Sequence, residues 1–484
     1  MTFCTIPALL ASAAEQFGTA PAVVTADGAE SYVELLNAVG GAADLFRRRG
    51  LKPRDRVLIA GPNSLALIHC WLGAIWAGGV PAAVNPGSTA TELEYFARDL
   101  QPAITLTSDE VEGLGPVRSH TGLSSSHNAD PFDVAAIVFT SGTTSRPKGV
   151  MVRHAAYTET GRSFPAWIGL GDSERLWACL PLFHINAQAY SLMSALAHGF
   201  SLALSPKFHA STFWTDARDL DVTSVNVVGA MLEFVAAQPV ERWVESRLQT
   251  IYAAPGPAPE LRKELEARFR VRIITGYGLS ENPFGCIESA SSRDKPGSIG
   301  RQRQPSSGLF TNELRIMRPD GSDADEGQVG ELCFRNPIMT PGYWNAPELT
   351  ATALRDGWLH TGDAGYRDAD GDVFLSGRYK EMIRRRGENI SPAEVEDALL
   401  QHPAVATAAV FGSAAGLQEE EVVAVVVRKD GAMVDEQELK RFAGARLAAF
   451  KVPSQIVFRE SLPMTPTHRV AKDVLRREYQ RSVT

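Results

Sequence analysis

The stretch Thr140-Ser-Gly-Thr-Thr-Ser-Arg-Pro-Lys-Gly149 follows the apolar run Ala135 to Thr140 and concentrates hydroxyls, glycines and one lysine in a single turn. Backbone N–H groups, hydroxyl donors and a cation presented together suit an oxyanion such as phosphate. The order is not that of a Walker loop. Gly142 and the Lys148-Gly149 pair are misplaced for G-x-x-x-x-G-K-[ST], and no Ser or Thr follows the lysine. Composition alone leaves a phosphate-holding loop and a plain surface turn equally open.

Outward from this loop the chain repeats one grammar: a short β-branched run, a Gly/Pro/Asn turn, then a longer helical stretch. Arg56 to Ala60, Ala135 to Thr140, Ser201 to Ser205, Ser224 to Val228 and Arg272 to Thr275 are the strand-like runs. Ala187 to Ala197 and the charged Pro259 to Arg270 are the helix-like stretches between them. This predicts parallel sheets covered by helices, an α/β large domain of layered sheets. From about Ser298 short alternating strands with the turns Pro319-Asp320-Gly321 and Asp370-Gly371-Asp372 predict a β-rich subdomain. The last hundred residues read as a compact α+β unit: helix Pro392 to Leu400, strands Val405 to Phe411 and Val422 to Val427, helix Asp435 to Leu447, strand Gln455 to Phe458. The expected division is 1–377 and 378–484, with a boundary near Arg378 to Lys380.

A length of 484 residues and 44% hydrophobic content exclude intrinsic disorder and suggest about three folding units, or one large and one small. The net charge of −8, with no long basic run, argues against nucleic acid as a partner. Cys4, Cys70, Cys179, Cys286 and Cys333 lie far apart with no metal-ligand spacing, which predicts a reducing, cytoplasmic setting and no structural metal. No signal peptide is evident. The apolar stretch Leu65 to Val84 carries His69 and breaks at Gly78-Gly79-Val80-Pro81, which predicts a buried helix ending in a turn rather than an integral membrane segment.

The loop 140–149 resembles the signature of the adenylate-forming superfamily of acyl-CoA synthetases, peptide synthetase adenylation domains and luciferases. The resemblance extends through Gly61-Pro-Asn-Ser64, Thr275-Gly-Tyr-Gly-Leu-Ser-Glu281, Gly330-Glu-Leu332, Pro341-Gly-Tyr-Trp344, Trp358-Leu-His-Thr-Gly-Asp363, Ser376-Gly-Arg-Tyr-Lys-Glu381 and Lys451-Val-Pro453. Around Pro181 to Asn186, and on to Phe213-Trp214, it looks most like crotonobetaine/carnitine–CoA ligases. The fold it implies is the one above, with a small mobile C-terminal domain and the active site between the two domains.

The resemblance assigns ATP to Thr140, Ser141, Gly142, Thr143, Thr144 and Lys148. Ala253, Ala254, Pro255, Gly276, Tyr277 and Gly278 would line adenine, with Tyr277 stacked on it, and Ser280 would meet the α-phosphate. Glu281 would hold Mg²⁺, and Asp363 and Arg378 the ribose. His184 would gate an acyl pocket shared with Asn186, Gly229, Ala253, Gly276 and Phe284. Lys380 would be the hinge for rotation between half-reactions, with Gly387 lining the CoA tunnel and Arg385 near the CoA phosphates. The bland readings are a core histidine for His184, a surface ion pair for Asp363 and Arg378, and a solvated face for the arginines at 384–386.

One departure stands out. Aligning Thr465-Pro-Thr467 with the family's Pro-[Ser/Thr]-Gly places His468 at the glycine and Arg469 at the usual adenylation lysine. The chain uses 38 Arg and 10 Lys, so Arg469 could carry the same charge with a different shape. Lys472 is the alternative, but three residues along a strand reverse the side-chain face, so it would need a bulge or turn. The third reading is lost or altered adenylation. The resemblance therefore implies an ATP- and Mg²⁺-dependent ligase joining a small carboxylic acid to CoA through an acyl adenylate, as a monomer or homodimer. Left open are another acceptor such as a carrier protein, an amine or water; another oxyanion such as nitrite; and a non-catalytic nucleotide- or acyl-CoA-binding relative.

Overall fold

Parallel strands covered on both faces bury every residue, and Ser224–Val227 and Thr250–Ala253 are buried throughout even though they carry the polar Ser224, Asn226 and Thr250. The computed structural model describes residues 2–114, 126–140, 147–289, 295–385, 388–414, 420–464 and 470–483. Two compact units divide the chain. The first is Met1–Thr140, Pro147–Leu314 and Phe334–Leu359, and the second includes Arg315–Cys333 and His360–Thr484.

In the first unit a nine-stranded sheet runs in the order Arg301–Gln302, Cys286–Ile287, Arg272–Tyr277, Thr250–Ala253, Ser224–Val227, Arg175–Ala178, Ser201–Leu204, Pro21–Thr25, Gly28–Ser31. Its middle is parallel, while the strands at 286–287, 301–302 and 28–31 pair antiparallel. A second, parallel sheet holds Val80–Val84, Arg56–Ala60 and Ile104–Leu106. The third is the antiparallel hairpin of Val134–Thr140 with Lys148–Arg153, in which Thr140 faces Lys148. The signature loop is thus a hairpin connection. Its residues Ser141, Gly142, Thr143 and Thr144 lie outside the described residues.

The sequence Leu65 to Val84 is a buried helix only as far as Trp76. After Gly78, at φ +91°, the chain enters the buried strand Val80–Val84. Apolar content alone could not mark this change of period, because both elements are buried all round. No helix among the described residues is long and apolar enough to cross a membrane. The stretch Ala187 to Ala197, expected as one helix, opens as a π-helix over Asn186–Leu192 and continues as an α-helix over Met193–His198.

The second unit contains part of the β-rich stretch, at 315–333 and from 360 onward, together with the α+β stretch. Its turns form as read: Gly321 N–H donates to Arg318 O and Gly371 N–H to Asp368 O, both glycines at positive φ. Val373–Arg378 pairs antiparallel with Trp358–Arg367, placing Arg378 opposite Asp363. The expected break at 377/378 falls inside this strand, one residue before its end at Arg378; beyond the strand lies a separate apolar cluster that begins at Ile383 and includes Val395, Leu399, Val410 and Val426. That cluster is enclosed by the sheet Val405–Ala414, Glu420–Arg428, Gln455–Arg459 and the helices Pro392–Leu400 and Glu436–Gly444. A final helix, Lys472–Val483, was not expected; its mean hydropathy is low and only Leu475 is deeply buried.

Gly61-Pro-Asn-Ser64 explains its own presence. Ser64 caps the Leu65–Trp76 helix by accepting from Leu67 N–H, while buried Asn63 reaches across the first unit. Asn63 Nδ2 donates to Leu180 O (2.9 Å) and Ser205 O (3.2 Å), and Oδ1 accepts from Leu182 N–H (2.7 Å). A single side chain therefore fixes the start of the segment carrying His184. Asn63→Ala would leave these backbone groups unpartnered, at an expected cost of about 2–4 kcal/mol in the unfolding of the first unit. Urea denaturation reads this directly; a change within about 0.5 kcal/mol, the level of a neutral surface substitution, would contradict the assignment.

Candidate active site

In open α/β sheets ligands bind at the crevice beyond the carboxyl ends of the parallel strands. Four adjacent strands end together here: Ser224 faces Leu176 and Thr250, Thr250 faces Arg272, and Val227, Ala253 and Thr275 lie side by side. The segments that leave these ends carry the residues singled out by sequence. Cys179 to Asn186 follows the first strand and brings His184. Gly229 follows the second, Ala254-Pro255 the third, and Gly278 to Glu281 the fourth.

Backbone contact between the loops is close. Gly229 N–H donates to Pro255 O (2.9 Å) and Ala254 N–H to Val227 O (3.2 Å). A Cβ at Gly229 would stand 2.7 Å from Gly256 O, so a side chain there would push the two loops apart. Ala253 is fully buried, Gly276 and Tyr277 are buried, and the Tyr277 ring stacks on Phe334 at 6.3 Å.

Ser280 and Glu281 form the tip of a turn closed by Leu279 N–H to Asn282 O and Asn282 N–H to Leu279 O. Beneath it lies a network of three buried asparagines. Asn282 Nδ2 donates to Phe284 O, Asn312 Nδ2 donates to Phe284 O and Arg303 O, and Asn336 Nδ2 donates to the side-chain oxygens of both other asparagines. Asn336 Oδ1 in turn accepts from Ile338 and Met339 N–H. Above the network, Thr340 N–H donates to Glu281 O and Tyr343 Oη to Glu281 Oε1, both at 2.8 Å.

Tyr343 also lies under Lys148, whose Nζ is 5.3 Å from the ring centroid. The Lys148–Arg153 strand is strapped to the same segment by Trp344 N–H to Gly149 O (2.7 Å) and Met151 N–H to Gly342 O (3.1 Å). Lys148 and Glu281, read from motifs more than a hundred residues apart, are thereby joined through Tyr343. Sequence reasoning quoted Pro341 to Trp344 as a match but gave Tyr343 no role; nor did it find the asparagines, whose three positions share no local pattern.

His184 keeps accessible surface, yet the protein around it displaces enough water that burial pushes its pKa down to about 4. The ring packs on Phe183 at 4.4 Å. The π-helix starts two residues later at Asn186, whose Oδ1 is buried without a hydrogen-bond partner. Such π-turns concentrate at functional positions because they widen the helix locally. Phe284 is fully buried against Trp167.

The second unit has its own constellation. Asp363 Oδ1 pairs with Arg378 Nη1 at 3.0 Å, and Arg378 Nη1 also donates to Thr361 O. The turn bearing Asp363 is held by Thr361 Oγ1, which donates to Leu332 O and accepts from Asp363 N–H, and by Glu331 Oε1, which accepts from Gly362 N–H. Glu331, Cys333 and His360 bring their ligand-type atoms within 4.8 Å of one another, with His360 Nδ1 2.8 Å from Glu331 Oε2 and 3.3 Å from Cys333 Sγ. A pairing across two strands is what cysteine spacing could not reveal.

Arg385 directs Nη1 to Phe450 O and Val452 O and Nη2 to Glu421, so the CoA contact expected of it competes with these internal bonds. Lys472 opens the last helix rather than sitting on a strand, and its Nζ lies 2.6 Å from Glu396 Oε1 and 4.0 Å from Glu381 Oε2. Burial holds the Glu396 carboxyl above its ordinary range despite that partner. Gly387 and Arg469 lie outside the described residues, as does the side chain of Lys380.

Comparison with known proteins agrees with this geometry. The AMP-binding enzyme model matches residues 10–344 and the AMP-binding enzyme C-terminal domain model residues 394–469. The chain is 31% identical to a sulfoacetate–CoA ligase of Cupriavidus necator, covering 97% of both, and 30% identical to a crotonobetaine/carnitine–CoA ligase of Salmonella agona, covering 92% of this chain and 93% of that one. Among solved structures, ATP-bound MatB from Rhodopseudomonas palustris is similar with a TM-score of 0.85 at 27% identity, over 98% of this chain and 99% of that one.

A depressed pKa means that the folded state favours the neutral imidazole, so His184 should take up its proton only as the pH falls towards about 4. Ring resonances of His184, assigned by difference against His184→Gln, should titrate with a midpoint below 5. A midpoint near the ordinary 6.5 would contradict the desolvated setting.

Proposed function

This chain belongs to the AMP-binding enzyme family and is an AMP-forming acid–CoA ligase, and from that premise we propose how its residues divide the work. The observation that carries the proposal is the linkage of Lys148, Tyr343 and Glu281 at the carboxyl edge of the parallel sheet. Lys148 places a cation, and Glu281 a carboxylate, where the phosphates and their counter-ion would be held.

In the first half-reaction a carboxylate oxygen of the acid attacks the α-phosphorus of ATP. The bond to the bridging oxygen breaks and pyrophosphate leaves. Tyr277 stacks on the adenine, Ala253, Ala254, Pro255, Gly276 and Gly278 shape its slot, and Asp363 accepts the ribose hydroxyls while Arg378 fixes that carboxylate. Ser280 meets the α-phosphate together with Thr140 and its loop. Glu281 fits magnesium: it is a hard oxygen donor whose orientation Tyr343 already fixes through one carboxylate oxygen. Magnesium, when bound, offsets phosphate charge. Neutral His184 stands beside the acid without adding a charge to the pocket.

In the second half-reaction the CoA thiol releases its proton to solvent and its sulfur attacks the acyl carbon; the acyl C–O bond to AMP breaks and AMP leaves as its phosphate anion. Lys380 serves as the hinge for exchanging half-reactions and Gly387 admits the pantetheine arm, where a missing side chain permits close approach. Arg469 supplies the cation that bridges the attacking carboxylate and the α-phosphate, offsetting the charge that builds up between them. Lys472 is committed to Glu396 and does not replace it.

Acid carrying ¹⁸O in its carboxylate, run with ATP and CoA, should transfer one label to AMP. Label in inorganic phosphate instead would exclude acyl-adenylate chemistry. In the same assay Arg469→Ala should slow the first half-reaction about 10²- to 10³-fold while Arg469→Lys retains or exceeds the wild-type rate. Equal rates in all three would remove Arg469 from the mechanism.

A further inference from the structure

The acyl pocket expected at Gly276 is not an empty slot, and what fills it bears on the acid. Tyr252 sits on the Thr250–Ala253 strand with 0% exposure, and its Oη lies 2.5 Å from where a Cβ at Gly276 would stand. Tyr190, on the π-helix, comes equally close to Gly278: its Oη is 2.6 Å from a Cβ placed there. The two rings pack with Phe164 at centroid distances of 4.7 to 5.7 Å, so the floor under both glycines is solid aromatic material. Phe284, edge-on to Trp167 at 4.7 Å, adds a further bulky wall. The two glycines make room for the two tyrosines.

The hydroxyls differ in a way that matters. Tyr190 Oη donates to Pro283 O at 2.6 Å and is spoken for. Tyr252 Oη is buried and has no hydrogen-bond partner, an arrangement that costs free energy unless a ligand satisfies it. Burial, followed by the neighbouring Tyr190, pushes the Tyr252 phenol well above its ordinary range, so it remains a proton donor at any working pH. Asn186 Oδ1, within one π-turn of Tyr190 on the same helix, is a second buried and unpartnered polar atom at the site.

We infer that the acid is short and carries a second polar group, a hydroxyl or an anionic oxygen near its reactive carboxylate, which accepts a hydrogen bond from Tyr252 Oη. Tyr252 and Tyr190 together exclude aryl and long alkyl acids. The inference rests on the ligase reading above and adds the class of acid to it. Its physical basis is asymmetric: a pocket built around a polar partner discriminates strongly against an acid lacking it, because the tyrosine hydroxyl is then left buried and unpaired, whereas an apolar wall discriminates weakly per methylene.

The test is acid-dependent pyrophosphate release over propanoate, 2-hydroxypropanoate, malonate, benzoate and octanoate, with wild type, Tyr252→Phe and Tyr252→Ala. Wild type should favour 2-hydroxypropanoate or malonate over propanoate at least about tenfold in kcat/KM and give no turnover with benzoate or octanoate. Tyr252→Phe should collapse the polar-to-apolar ratio by about tenfold, and Tyr252→Ala should admit benzoate. Because Tyr252→Phe deletes only an unpartnered oxygen, its melting temperature without ligand should not fall, which separates lost recognition from lost folding. The inference is overturned if benzoate matches the best short acid in wild type, or if the ratio survives in Tyr252→Phe; the ligase reading stands in either case. Silence with every acid, while ATP still raises the melting temperature, would instead overturn the ligase reading and this inference with it.

Discussion

The parallel register of four strands is the constraint on which the rest of the site depends. Because Leu176, Ser224, Thr250 and Arg272 lie side by side in one hydrogen-bonded ladder, the strands that carry them must end at one edge. The loops that follow are brought together by the ladder, and hydrogen bonds such as Gly229 N–H to Pro255 O then join them. Each crossover returns the chain to the same end of the sheet, as the parallel register requires. Of the residues expected in the acyl pocket, Ala253 and Gly276 lie on these strands and Gly229 just beyond one, while His184 and Asn186 are on the segment that leaves the Arg175–Ala178 strand.

Proximity is not orientation, and orientation is supplied by buried amides. Asn63 pins the segment before His184, and Asn282, Asn312 and Asn336 fix the turn that presents Glu281. Each buried amide satisfies backbone groups that the irregular loops cannot satisfy for one another, and for that reason polar side chains occupy positions where burial alone would select apolar ones. The same logic singles out Tyr252 and Asn186: a buried polar atom without a partner points to a missing one.

Much of the fold was legible because its signals are local. The strands at 56–60, 224–227 and 455–459 and the helix Pro392–Leu400 emerge within a residue or so of their sequence reading. The turns at Gly321 and Gly371 follow from residue chemistry. What escaped did so for identifiable reasons. The change from helix to strand at Gly78 is hidden by burial on all sides, and the π-helix at Asn186 differs from an α-helix by one residue per turn, too little to register in an apolar pattern. Of the site, the motif residues Lys148, Glu281, Asp363 and Arg378 were visible; Tyr343, Tyr252 and the asparagines were not, since each acts through a partner far away in sequence.

The central claim is that the turn bearing Glu281, held by Tyr343 and the asparagine network, organises ATP for attack by the acid. Acid-dependent exchange of labelled pyrophosphate into ATP measures that half-reaction without CoA. In Glu281→Gln, which keeps an acceptor for Tyr343 Oη but removes the charge, exchange should fall by about 10²-fold or more at saturating Mg²⁺ while the melting temperature is retained. Exchange at the wild-type rate in a folded Glu281→Gln protein would contradict the account.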